Sequence, residues 1–117
     1  MKENKLATLS MEFSVEIINL VKFLKSNHES IISNQIGRSG TSIGANIREA
    51  QYAHGKADFV SKLQIALKEA NETHYWLRLL YRTEYLTKSE FQSIESDADE
   101  LLRILTAICK TATERKG

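Results

Sequence analysis

The stretch from Gln35 to Glu49, Q-I-G-R-S-G-T-S-I-G-A-N-I-R-E, most constrains the fold, because loop-like composition and helical spacing compete within it. Three glycines in so short a window ordinarily mark a break. At about 100° per residue, however, Ile32, Ile36, Ile43, Ile47 and Ala50 fall on one face, and no proline interrupts them. The spacing therefore predicts a helix with an intact core stripe. Gly37, Gly40 and Gly44 gather on one flank of that stripe, where a missing side chain lets another helix backbone approach closely. Each glycine costs roughly 0.5–1 kcal/mol of helix stability relative to alanine. Gln35, Arg38, Ser42, Asn46 and Glu49 gather on the opposite flank as an ordered polar stripe.

The rest of the chain supplies three more helices. Leu9, Phe13, Ile17, Leu20 and Leu24 recur at three- and four-residue spacing, which predicts an amphipathic helix over about 8–26, with Met11 and Ile18 off its stripe. Ser26 and Glu29 stand at the spacing of a capping box for the second helix, expected over about 29–53. Gly55 is the expected left-handed terminator of that helix, and Asp58 the expected cap of a third over about 58–83. There Phe59, Leu63, Ala66, Ala70, Thr73, Leu77 and Leu80 form a heptad-like seam. A second capping box, Thr87 to Glu90, opens a fourth helix over about 88–113, with Phe91, Ile94, Ala98, Leu101, Leu105, Ile108 and Ala112 as its stripe. The tail T-A-T-E-R-K-G is expected to fray. Four helices with short links predict an all-α, antiparallel up-down four-helix bundle, and 117 residues make one domain.

Sixteen basic residues against fifteen acidic ones do not announce a nucleic-acid binder, but their distribution is uneven. Residues 30–82 hold seven basic and four acidic side chains, whereas residues 84–100 hold one basic and six acidic. One face or end should be basic and another acidic. Cys109 lies among apolar neighbours and reads as a core thiol. The first ten residues mix charges of both signs and resemble neither a signal peptide nor an anchor, and no run approaches the ~18 apolar residues of a membrane span. The expected location is the cytoplasm, without a membrane partner.

Catalytic chemistry finds little support. A carboxylate-bridged metal bundle needs Glu-x-x-His repeats, and none occurs; His28, His54 and His74 lie far apart in sequence. No nucleophile elbow or phosphate-binding glycine loop is present. The expectation is a non-enzyme with no cofactor and no metal. Arg38, Ser42 and Asn46, with Arg48, Lys56 and Lys62 extending them, are the candidate nucleic-acid or partner contacts; the same stripe also fits an interhelical hydrogen-bond network. Ile65, Tyr75, Trp76 and Leu79 leave the third helix's seam and form, with the close-approach positions Gly40 and Gly44, the expected oligomer interface.

Three strings carry a resemblance: T-S-I-G-A-N-I-R-E-A at 41–50, D-F at 58–59, and I-A-L-K-E-A-N-E-T-H-Y-W-L-R-L-L at 65–80. Over roughly residues 13–110 the chain resembles the bacterial four-helix-bundle proteins encoded in intervening sequences of large-subunit ribosomal RNA genes. It is also similar to the accessory protein of diversity-generating retroelements. Gln35, Arg38, Ser42, Ile43, Asn46, Ile47 and Glu49 match the family's second-helix motif, and Asp58, Phe59, Ala66 and Glu72 its third. Ala50 replaces a frequent glycine, and His74 stands where a basic residue is common, which weakens a strongly basic face. The resemblance implies a homo-oligomer, with a pentamer the best-known arrangement, and RNA, DNA or a reverse transcriptase as partner. Two readings follow: a homo-oligomeric binding module for nucleic acid or a nucleoprotein, or a structural scaffold with protein partners only.

Overall fold

A computed structural model describes residues 4–114. The helices are α1 (Lys5–Ser26), α2 (Ile31–Gln51), α3 (Lys56–Arg82) and α4 (Lys88–Glu114). They lie side by side in an elongated body of 50 × 24 × 21 Å. Each packs chiefly on its sequence neighbours, the pair α2–α3 most extensively, and α1 closes against α4 most sparsely. This is a four-helix bundle, as the four apolar stripes require. Most of the predicted core is buried: Phe13, Ile17, Leu20 and Leu24 of α1, all five predicted residues of α2, Leu63 to Leu80 of the α3 seam, and Phe91, Ala98, Leu101 and Leu105 of α4, while Ala112 is half-buried. Cys109 joins them, and burial pushes its thiol pKa up. Leu9, Phe59, Ile94 and Ile108 are half-buried against this core.

The glycine-rich stretch is continuous helix, and its glycine flank is the α1 contact. A Cβ at Gly40 would stand 2.9 Å from two atoms of Ile17; at Gly44 it would meet Ser14 Oγ at 3.2 Å, and at Gly37 Val21 Cγ2 at 3.4 Å. The close approach is therefore made within the chain. Gly40 and Gly44, expected at an oligomer interface, are already occupied by α1.

Helix ends depart from the expected chemistry in four places. α1 begins at Lys5, earlier than expected, because Asn4 caps it through a 3.0 Å bond from Ala7 N–H. Ser26 caps nothing: its hydroxyl donates to Phe23 O inside α1. That helix ends instead with His28 at φ 65°, its N–H bonding Lys25 O and the Glu29 N–H bonding Leu24 O, the paired pattern that satisfies orphan carbonyls. Glu29 alone serves α2, its two oxygens accepting Ile32 N–H at 2.8 Å and Ser33 N–H at 2.7 Å. Gly55 is not left-handed; it is extended (φ 178°) as the residue preceding α3, and α2 has already ended at Tyr52. Asp58 is accordingly in the first turn of α3, not its cap, favourably near the positive end of the helix dipole. The Thr87–Glu90 capping box forms reciprocally, at 2.9 and 3.1 Å. The tail expected to fray is helical through Glu114, and its last three residues lie outside the described range.

Candidate functional site

Within the polar stripe of α2, Arg38 bridges to α3, Ser42 and Asn46 bond back along α2, and Gln35 and Glu49 are exposed. Arg38 reaches across to two carboxylates one turn apart, Nη1 donating to Glu69 Oε1 at 3.1 Å and Nη2 to Glu72 Oε2. Trp76 Nε1 donates to the same Glu72 oxygen at 2.9 Å. The indole bond and then the guanidinium hold the Glu72 carboxyl below its usual pKa, and Glu72 in turn raises that of Arg38. Ser42 Oγ donates to Arg38 O, and Asn46 Nδ2 to Ser42 O. Beneath them Thr73 Oγ1 stands 2.8 Å from both Ser39 Oγ and Glu69 O, with both hydroxyl residues fully buried. Among the described residues no buried side-chain polar atom lacks a partner.

Of the candidate binding residues, Arg38 thus bridges α2 to α3, whereas Ser42 and Asn46 bond back to carbonyls of α2 itself. The Arg38 side chain remains about half exposed, so one edge of the guanidinium faces water. Arg48 lies on the far side of α2, stacked 5.7 Å over the exposed Tyr52 ring. Lys56 is exposed at the first residue of α3, and Lys62 pairs loosely with Asp58 at 3.8 Å. The structure does not gather the six into one cluster.

The candidate interface divides in the same way. Tyr75 (58%) and Ile65 (38%) are exposed, whereas Trp76 and Leu79 are half-buried against the core, where the Glu72 bond fixes the indole. The more prominent apolar face was outside the sequence expectation. Met11 (65%), Val15 (53%) and Ile18 (42%) form a row on the outer side of α1 at four- and three-residue spacing. Their periodicity was visible in the sequence, but the stronger inward stripe of the same helix masked it.

Acidic residues concentrate on the other side of α1. Glu12, Glu16, Asp97 and Glu100 line a narrow cleft of about 110 Å³ between α1 and α4. Desolvation, a hydrogen bond to Asp97, and the charges of Asp97 and Glu12 push the Glu16 pKa from an ordinary 4.5 up to about 7. A carboxyl that holds its proton more tightly in the fold contributes fully below pH 4.5 and loses that contribution as pH rises through 7. Thermal stability should therefore fall between pH 5 and pH 8, and Glu16→Gln should flatten that fall. A variant with the parent's pH dependence would show that the shift is not realised.

A last cluster was hidden by sequence distance. His74 of α3 places Nε2 2.9 Å from Glu95 Oε2 and 3.7 Å from Asp99 Oδ1, both on α4. Antiparallel helices pair residues equally far from their turn, and His74 and Glu95 stand nearly symmetrically about Tyr85, so a hairpin register drawn through 83–87 would have brought them together.

An all-helical bundle with a polar α2–α3 seam defines the class of protein, and comparison with known proteins gives the family. Residues 2–107 match the family model described as 23S rRNA-intervening sequence protein, and the chain belongs to that family. It is also similar to a Bacteroides thetaiotaomicron protein of unknown function from the S23 ribosomal protein family, solved crystallographically at 1.70 Å. The two are 56% identical, with a TM-score of 0.88, over 90% of this chain and 98% of that one. No curated protein matches the chain. Neither the family nor the crystallised relative is described by a catalytic activity. Among the described residues no helix is long and apolar enough to cross a membrane.

Proposed function

We propose that this chain is a non-enzymatic module that assembles with copies of itself and binds RNA or DNA electrostatically in the cytoplasm. The outward row Met11, Val15 and Ile18 carries the reading: it is a second apolar stripe on a helix whose inward stripe already completes the core. Exposed Ile65 and Tyr75 on α3 offer a second patch, so that one face of each copy can meet a different face of the next. Head-to-tail contacts make rings when the rotation between copies closes, and a pentamer is the form proposed. The family's description by a ribosomal RNA intervening sequence supports nucleic acid as the ligand, as does the excess of basic residues between 30 and 82. A reverse transcriptase or similar enzyme would then be a secondary partner, met through the shared nucleic acid.

Sedimentation equilibrium should give a mass several times 13.3 kDa, and the Met11→Glu/Ile18→Glu pair should reduce it to one chain with unchanged helicity. Affinity for structured RNA should fall with salt, with a log–log slope of about −0.7 to −0.9 for each phosphate neutralised, so that loss of assembly removes most of it. Arg48→Gln should shallow that slope, whereas Arg38→Gln should mainly loosen α2 from α3. A monomeric parent would refute assembly. The scaffold reading has an observation of its own, the internal engagement of Arg38 by Glu69 and Glu72. An assembled protein that binds neither RNA nor DNA at low salt would establish it instead.

A further inference from the structure

We propose that His74, Glu95 and Asp99 bind a divalent transition cation, of the zinc type, that ties α3 to α4. The ligand atoms, one imidazole nitrogen and two carboxylate oxygens, all lie within 4.8 Å of one another. Zinc takes nitrogen at ~2.0–2.1 Å and carboxylate oxygen at ~2.0–2.2 Å, which sets neighbouring ligands of a tetrahedral ion about 3.4 Å apart. The two distances from His74 Nε2, 2.9 and 3.7 Å, bracket that value. Glu95 and Asp99 are one turn apart on α4, so both carboxylates project to the same side of the helix, toward the half-buried imidazole. Asp99 is the most exposed of the three, and a small side-chain rotation brings its oxygen into range.

Charge strengthens the assignment. Among the described residues neither Glu95 nor Asp99 has a lysine or arginine within ion-pair distance, and His74 is the one basic side chain that meets them. Two carboxylates thus converge on a single imidazole that can balance at most one of them. Asp97 and Glu100 on the same helix deepen the negative potential. A divalent ion would neutralise both carboxylates, leaving at least one coordination position to water. The imidazole selects a transition ion over magnesium or calcium, which prefer shells built wholly of oxygen.

The test is zinc titration of the full chain after treatment with a chelator, followed by calorimetry, melting temperature and histidine ring NMR. One zinc per chain is expected, with a higher melting temperature and a shifted His74 ring resonance, while His28 and His54 stay in place. His74→Gln and Glu95→Gln should each weaken zinc by more than the roughly 10–100-fold that loss of an outer-sphere partner costs. Cys109→Ala should leave it unchanged. Circular dichroism checks that both ligand variants keep the parent's helicity, and the NMR readout on the parent stands independently of them. Undiminished zinc binding by His74→Gln, a response confined to His28 or His54, or no binding by the parent would each overturn the proposal.

Discussion

Gly40→Leu should cost the bundle about 3 kcal/mol or more, the upper range for overpacking a filled interface. Even the first added carbon is obstructed. A Cβ at this position stands 2.9 Å from both Cγ1 and Cγ2 of Ile17 and 3.2 Å from Cδ1, and Ile17 is fully buried. Those γ carbons sit next to a stiff β-branched centre, so no flexible tip can swing aside and the helices themselves must separate. Gly40→Ala should therefore destabilise too, despite the gain of up to about 1 kcal/mol in helix propensity. Gly37→Ala is the internal control. Its nearest contact, Val21 Cγ2 at 3.4 Å, is ordinary, so the propensity gain should emerge as added stability. Urea unfolding of all three at one chain concentration checks this, because assembly makes apparent stability concentration-dependent. Gly40→Ala melting above the parent would show that α1 and α2 are not as close as described.

The second large effect is expected at Glu29. Its buried carboxylate accepts two backbone N–H groups of α2, while Ser33 Oγ returns a bond to the Glu29 carbonyl at 2.9 Å. Glu29→Ala strips both acceptors from donors that solvent reaches poorly, and about 1–3 kcal/mol should be lost. Glu29→Gln keeps one acceptor oxygen and should lose less. At about 4 °C per kcal/mol for a chain of this size, a thermal melt separates the three proteins. Equal melting of Glu29→Ala and the parent would mean that water caps α2 as well as the carboxylate does.

What the sequence revealed and what it concealed divide along physical lines. Hydrophobic spacing located all four helices and nearly the whole core, because burial of an apolar stripe admits few alternatives once no proline intervenes. Three glycines inside α2 were legible as a close-approach flank, but not which helix would approach. Local end chemistry was ambiguous for a related reason. Ser26 and Glu29 fit a capping box by spacing, yet the left-handed turn at His28 places Ser26 inside α1 and leaves Glu29 to act alone. Gly55 carried the composition of a terminator, while Tyr52 had already ended α2 without a left-handed residue. Trp76 and Leu79 looked exposed because a helical wheel has no neighbours; in the bundle both pack partly against the core, and the Glu72 hydrogen bond fixes the indole. The His74 cluster and the Arg38 pairs join residues on different helices, and such contacts depend on hairpin register more than on any string of letters.

The uneven packing around the bundle also bears on how the chain folds. Three of its four seams join consecutive helices across turns of a few residues, so most stabilising contacts form between segments that are close along the chain. A topology of this kind has low contact order and folds on microsecond to millisecond timescales. The α1–α4 seam alone must bring the two ends of the chain together, and it is sparse, with mutually repelling carboxylates along part of its length. Helical hairpins can thus form first, with the α1–α4 seam closing last.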